Sequence, residues 1–94
     1  MPAISGQKTI TAAGTAERLH TGLAVNSALM IKALPGNTGL VYVGNDGASD
    51  VSSANGLPLS AGDSCVFVFV GDLREIWVDA AVNGEGVGWM ALFA

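Results

Sequence analysis

The sequence predicts an all-β domain: a single antiparallel β-sandwich, jelly-roll-like, of about seven or eight strands. Three observations predict it. Short β-rich runs recur along the chain, separated by Gly, Pro, Asn and Asp, at the spacing of a sandwich or barrel. Helical periodicity is nearly absent, because the best helical window, residues 12–23, is broken by Gly14, Thr15 and Gly22. The 94 residues amount to one domain, with no internal repeat and no linker composition.

Taken in order, residues 1–8 hold Pro2, Gly6 and small polar residues without alternation, and read as an extended N-terminal arm. The sandwich is then residues 9–94. A first strand is expected around residues 8–12 and a second around 15–19. The third, over 28–34, puts Leu29, Ile31 and Ala33 on one face and Met30 and Lys32 on the other. Residues 35–39, Pro-Gly-Asn-Thr-Gly, are a turn, since Pro fixes φ while Gly and Asn tolerate positive φ. A strand over 40–44 leads into a polar, glycine-rich loop over 45–56, and residues 57–63 read as a second turn region. The run over 64–70 is the strongest strand. Strands over 74–81 and 86–93 flank Asn83-Gly84, the dipeptide that most strongly signals a two-residue hairpin.

The strand over 64–70 does not alternate. Cys65, Phe67 and Phe69 point one way and Val66, Val68 and Val70 the other, and all six are apolar. A sheet with one face in water shows a polar face, so both faces here call for cover. The last strand repeats the pattern: Val87, Trp89, Ala91 and Phe93 are opposed by Met90 and Leu92. Only 13% of residues are charged, against roughly 25% in an average domain. Such a surface fits a chain partly covered by copies of itself or by another protein.

The same composition narrows the function classes. The net charge is −4 and the four basic residues, Lys8, Arg18, Lys32 and Arg74, are scattered, so no basic stripe for nucleic acid exists. No apolar window approaches the ~18 residues of a membrane helix, and the first residues do not resemble a secretory signal, so synthesis and folding in the cytoplasm are expected. Cys65 is the single cysteine and cannot form an intrachain disulfide.

No catalytic constellation emerges, so the protein is read as a non-enzyme without cofactor or metal. His20 is the only histidine, with no marked partner, and reads as a surface or interface residue. Cys65 sits in the most apolar strand, where a thiol behaves as a small hydrophobe. Asp46 and Asp50 offer oxygen ligands in the 45–56 loop but lack the EF-hand spacing, and turn chemistry accounts for them. Asp79 and Glu85 are an acid–base pair only if the fold joins them beside a cleft. The glycine run 84–88 enters a strand and not a helix, which removes any phosphate-binding logic. Of the tryptophans, Trp89 is assigned to the core and Trp77, sharing its strand face with Asp79, to an interface.

Three stretches together resemble a group of small tailed-phage virion proteins. They are Val41-Tyr42-Val43-Gly44 with its polar loop, Asn55-Gly56-Leu57-Pro58-Leu59-Ser60-Ala61-Gly62-Asp63-Ser64, and Ile76-Trp77-Val78-Asp79-Ala80-Ala81-Val82-Asn83-Gly84-Glu85-Gly86-Val87. The likeness runs from about Ala28 to the C-terminus. It implies a capsid decoration (cement) protein on the virion exterior, partnered by the major capsid protein and by itself as a homotrimer. Nucleic acid and membrane are not implied partners. The alternative is a receptor- or carbohydrate-binding β-sandwich module of a tail fibre, and a third class is an accessory domain of a hydrolase. The residues expected at interfaces are Met1, Pro2 and Ile4 of the arm, with Val66, Val68, Val70, Trp77, Met90 and Leu92.

Overall fold

The computed structural model describes residues 3–44, 51–52 and 55–92. Eight strands carry the fold: β1 Ala3–Thr9, β2 Glu17–Arg18, β3 Ala24–Ala33, β4 Val41–Gly44, β5 Leu57–Leu59, β6 Ser64–Asp72, β7 Trp77–Ala80 and β8 Gly86–Leu92. They make two four-stranded sheets, sheet A in the order β1-β8-β3-β6 and sheet B in the order β2-β7-β4-β5. The antiparallel pairs β1·β8, β2·β7, β3·β6 and β4·β5 are nested. The chain is therefore one long hairpin, with β4 and β5 at its tip, rolled so that successive rungs fall in opposite sheets. This is jelly-roll topology, and the all-β expectation holds.

Period-2 alternation builds the core between the sheets. Val25, Leu29, Ile31 and Ala33 of β3 and Val87, Trp89 and Ala91 of β8 are buried, while Met30, Lys32 and Met90 between them are exposed. The register stacks like on like, with Leu29 opposite Ala91, Ile31 opposite Trp89 and Ala33 opposite Val87. Sheet B supplies Val41, Val43, Leu59, Val78 and Ala80, and Ile10, Leu19, Leu73 and Ile76 belong to the same cluster. Trp89 is assigned to this core correctly. Its indole lies over Gly6 of β1, where a Cβ would stand 2.8 Å from Cζ2, and His20 meets it edge-on at 5.5 Å.

The arm is where the sequence reading first departs from the structure. From Ala3 onward the segment is extended, as expected, but it is β1, hydrogen-bonded to β8 from Ala3–Leu92 to Thr9–Gly86. The domain therefore starts before residue 9, and the first strand ends at Thr9 instead of spanning 8–12. Gly6, one of the residues on which the arm reading rests, meets the Trp89 indole there, which leaves no room for a Cβ. Met1 and Pro2 lie outside the described residues. β2 is only two residues long, against the five expected, and β3 begins four residues earlier than expected because Val25 extends its buried face.

The Asn83-Gly84 expectation also fails. β7 belongs to sheet B and β8 to sheet A, so the two strands are joined by an arch between sheets and not by a hairpin. A type I′ turn needs positive φ at both central residues. Gly84 has φ +82°, whereas no non-glycine among the described residues has positive φ. With Glu85 N–H donating to the Val82 carbonyl at 3.3 Å, the turn has the type II sign pattern, whose twist splays hairpin strands. The arch is held from the β1–β2 side: Gly84 N–H donates to the Ile10 carbonyl at 2.7 Å, and Ala13 N–H to Asn83 Oδ1 at 2.7 Å.

Two smaller departures have local causes. Leu73–Glu75 is a 3-10 turn in place of the start of a strand. Asp72 caps it by accepting from Arg74 N–H at 3.0 Å, and Glu75 returns the bond from Asp72 N–H at 2.8 Å, a reciprocal capping box. Leu57–Leu59, read as part of a turn, is an edge strand, the one place in a sheet where Pro58 is tolerated.

Candidate interaction surface

The two sheets treat their outer faces differently. On sheet B, Tyr42 and Asp79 are register partners that alternate away from the core, yet they are only 7% and 2% exposed. The chain covers them itself. Gly14, in the β1–β2 connection, donates N–H to Asp79 Oδ1 at 3.0 Å. Val51, just past the β4 end, is buried, and a Cβ on Gly44 would lie 2.9 Å from its Cγ2. A hollow of about 470 Å³ remains between these segments, lined by Ala13, Gly14, Tyr42, Ser52 and Asp79 among others.

Sheet A has no comparable cover among the described residues. Val66 is 66% exposed, Val68 84%, Met90 47% and Met30 38%. The register gathers them into one patch, with Met30 opposite both Val66 and Met90, and Ala28 opposite Val68. Ala28, Met30, Val66 and Met90 ring a shallow apolar dish of about 180 Å³. A second hollow of about 350 Å³ adjoins it across Met30, Met90 and Gly88, reaches Ser5 and Gln7 of β1, and has Lys32 in its lining. Each valine left in water forgoes roughly 1.5–3 kcal/mol relative to full burial.

The structure thus divides the residues expected at interfaces. Val66, Val68 and Met90 share the outer face of sheet A. Val70 and Leu92 lie in β6 and β8, but their side chains fall outside the description. Ile4 is opposite Ala91 on edge strand β1 and is 38% exposed, away from the patch. Trp77 is on the other sheet, half-buried, with the Arg18 guanidinium 5.1 Å from its ring centroid. It lines a groove of about 680 Å³ with Lys8, Glu17, Arg18 and His20. Sequence reasoning passed over Ala28 and Met30. The alternation of β3 already put Met30 outward, but nothing in the sequence says that β3 lies between β6 and β8.

The carboxylates among the described residues have structural partners. Glu17 is held below the ordinary carboxylate range first by the Lys8 ammonium, at 2.9 Å, and then by Thr11 N–H, a link that ties edge strand β1 to edge strand β2. The backbone N–H groups of Gly39 and then Thr38 lower Glu85, whose carboxylate accepts from them at 3.0 and 2.7 Å. Asp72 is lowered by the N–H groups of Arg74 and Leu23. Asp79 and Glu85 therefore serve different backbone segments and do not form the acid–base pair weighed from the sequence. Burial pushes the Cys65 thiol up, which disfavours the thiolate. His20 Nδ1 accepts from Gly22 N–H at 3.0 Å while the ring packs on Trp89. No group of three or more metal-ligating side chains occurs among the described residues, and Asp46 and Asp50 lie outside them. No protein-family model and no curated protein matches this sequence.

Proposed function

We propose that the chain is a non-enzymatic structural protein of a virion, a capsid decoration (cement) protein that docks through the outer face of sheet A. The observation that carries this reading is the contrast between the two outer faces. One is covered around Tyr42 and Asp79 by the chain's own segments, with Trp77 half-buried beside Arg18, and the other exposes Val66, Val68, Met30 and Met90 as a contiguous apolar patch. Exposed patches of this kind mark interaction sites. The resemblance of residues 28–94 to small tailed-phage virion proteins supplies the partner, a major capsid protein. Bound across capsomer junctions, the protein would stabilise the shell by mass action, since it favours the assembled state it contacts.

Jelly rolls serve as capsid and lectin domains alike, so the fold does not choose between this reading and a glycan-binding one. The groove beside Trp77 is the observation that favours a fibre-associated carbohydrate- or receptor-binding module. There, however, the Arg18 guanidinium already lies over the indole face on which a sugar ring would stack. Cosedimentation with capsids of the encoding phage that lack the protein tests the proposal. Wild type should saturate them at a fixed copy number and Val68→Asp should not. Binding that survives Val68→Asp and is lost in Trp77→Ala would move the site to the groove. Failure of wild type to bind would refute the cement reading.

A further inference from the structure

We propose that two copies of the chain join edge to edge through β6, paired antiparallel about a two-fold axis at Val68, into one continuous eight-stranded sheet. The proposal rests on the virion reading above, for which the resemblance implies self-association, and gives that self-association a geometry. Unpaired strand edges invite pairing, and proteins blunt them with short strands, proline or lysine. Three of the four edges here are blunted. β2 is two residues long, and β5 is three with Pro58 at its centre. β1 carries Lys8, tied to Glu17 across the open side of the sandwich. The fourth, β6, runs nine residues from Ser64 to Asp72 without proline, lysine or arginine, and among the described residues β3 is its only neighbour in the sheet.

The occupant is a second copy because the strand is complementary to itself. A two-fold normal to the sheet pairs β6 with its copy antiparallel and keeps the same faces together. The exposed Val66 and Val68 of both copies then merge into one apolar strip, beside which lie both Met30–Met90 dishes. A parallel pairing would turn one copy over and set its outer face beside the other's core face. Centred on Val68, the register puts Val66 opposite the second copy's Val70 and Asp72 opposite its Ser64, so no like charges meet. Nine paired residues form about 8–10 backbone hydrogen bonds, the number carried by an interface of standard size. The edge then serves the second copy and leaves the merged face for the shell. A two-fold takes the place of the three-fold expected from the sequence.

A register-specific cross-link tests this. In a Cys65→Ser background, Val68→Cys places two thiols across the axis at a Cα separation of about 4.5–5.5 Å, within the range a disulfide spans. Mild oxidation should convert most of this variant to a covalent dimer. Val66→Cys in the same background, whose counterpart is position 70, should stay monomeric on the denaturing gel. Wild type should sediment as a dimer, and the β6 amides that point away from β3 should exchange many-fold more slowly in the dimer than on dilution to monomer. That exchange measurement needs no substitution. A dimer or trimer in which the Val68→Cys variant does not cross-link and β6 amides stay unprotected overturns the β6 geometry while leaving self-association intact. A monomer at all concentrations overturns both, and capsid cosedimentation then judges the docking face separately.

Discussion

Replacing Val68 by Asp separates the face from the fold. Val68 is 84% exposed, so the isolated domain has little to lose. Substitutions at such sites stay within about 0.5 kcal/mol, to which the poor strand preference of Asp adds up to about 1 kcal/mol. Docking is another matter. Burying a valine fully is worth about 1.5–3 kcal/mol, and with so much of this side chain still in water nearly all of that accrues on association, about 1.3–2.5 kcal/mol. Losing it weakens binding about 10- to 70-fold. That is a lower bound, because an unpaired carboxylate in the contact adds its own desolvation. Capsid cosedimentation over a range of protein concentrations, beside thermal melting, reads the two effects independently. A soluble, normally melting Val68→Asp protein that no longer saturates capsids is the expected result, with Val68→Thr intermediate because it keeps the β-branch without the charge. If Val68→Asp associates and binds capsids like wild type, the outer face of sheet A is not the contact. If it unfolds, the exposure on which the reasoning depends is wrong.

Gly86→Ala should lower stability by about 3 kcal/mol or more, because its Cβ would run into the Lys8 carbonyl oxygen and stand 2.7 Å from Thr9 Cα, prising β1 from β8; a melting temperature near wild type would refute that approach. Gly84→Ala, at φ +82° with open space around it, should cost only about 1 kcal/mol, which chemical denaturation checks. Glu17, Asp72 and Glu85 are all held below their unfolded values, so between the two values the unfolded chain binds more protons. Their stabilisation is complete above about pH 4.5 and is lost as pH falls through the lower folded values, and Glu85→Gln should flatten that acid limb of the melting curve. Deleting residues 1–7 should lower the melting temperature clearly, since it strips β1 from Trp89 and β8; an unchanged melt would restore the arm that the sequence suggested.

What the sequence made legible was the side-chain alternation. Leu29, Ile31 and Ala33 against Met30, and Val87, Trp89 and Ala91 against Met90, fall on the faces their spacing assigns. The surplus valines of β6 were likewise readable as a second apolar face. What it hid was pairing. Asn83-Gly84 signals a hairpin through local φ preferences, but the jelly roll puts β7 beside β4 and β8 beside β3, and Asn83 then keeps negative φ. Gly6 reads as part of an arm outside the sandwich until Trp89 is seen above it. Asp79 is weighed as an acid–base partner of Glu85 until Gly14 is seen to donate to it. In each case a contact distant in sequence overrides a local signal, and one chain viewed alone carries no trace of such contacts.

The asymmetry between the sheets follows from the roll itself. A nested hairpin has one tip, and here the tip, β4–β5, lies in sheet B, so the chain around Val51 and Ser52 folds back on that side. The β1–β2 connection crosses there too, bringing Gly14 onto Asp79. Sheet A receives neither segment. It holds the two longest strands, β3 and β6, paired along nine residues from Ala24–Asp72 to Lys32–Ser64, and both carry apolar side chains outward. A domain indifferent to that face would have placed Ser, Thr or Lys at positions 30, 66, 68 and 90, since strand preference allows it and solubility favours it. Met, Val, Val and Met stand there instead, beside the one sheet edge that is not blunted. Under the proposed reading both features serve a partner, and the face and its edge are where that reading is to be tested.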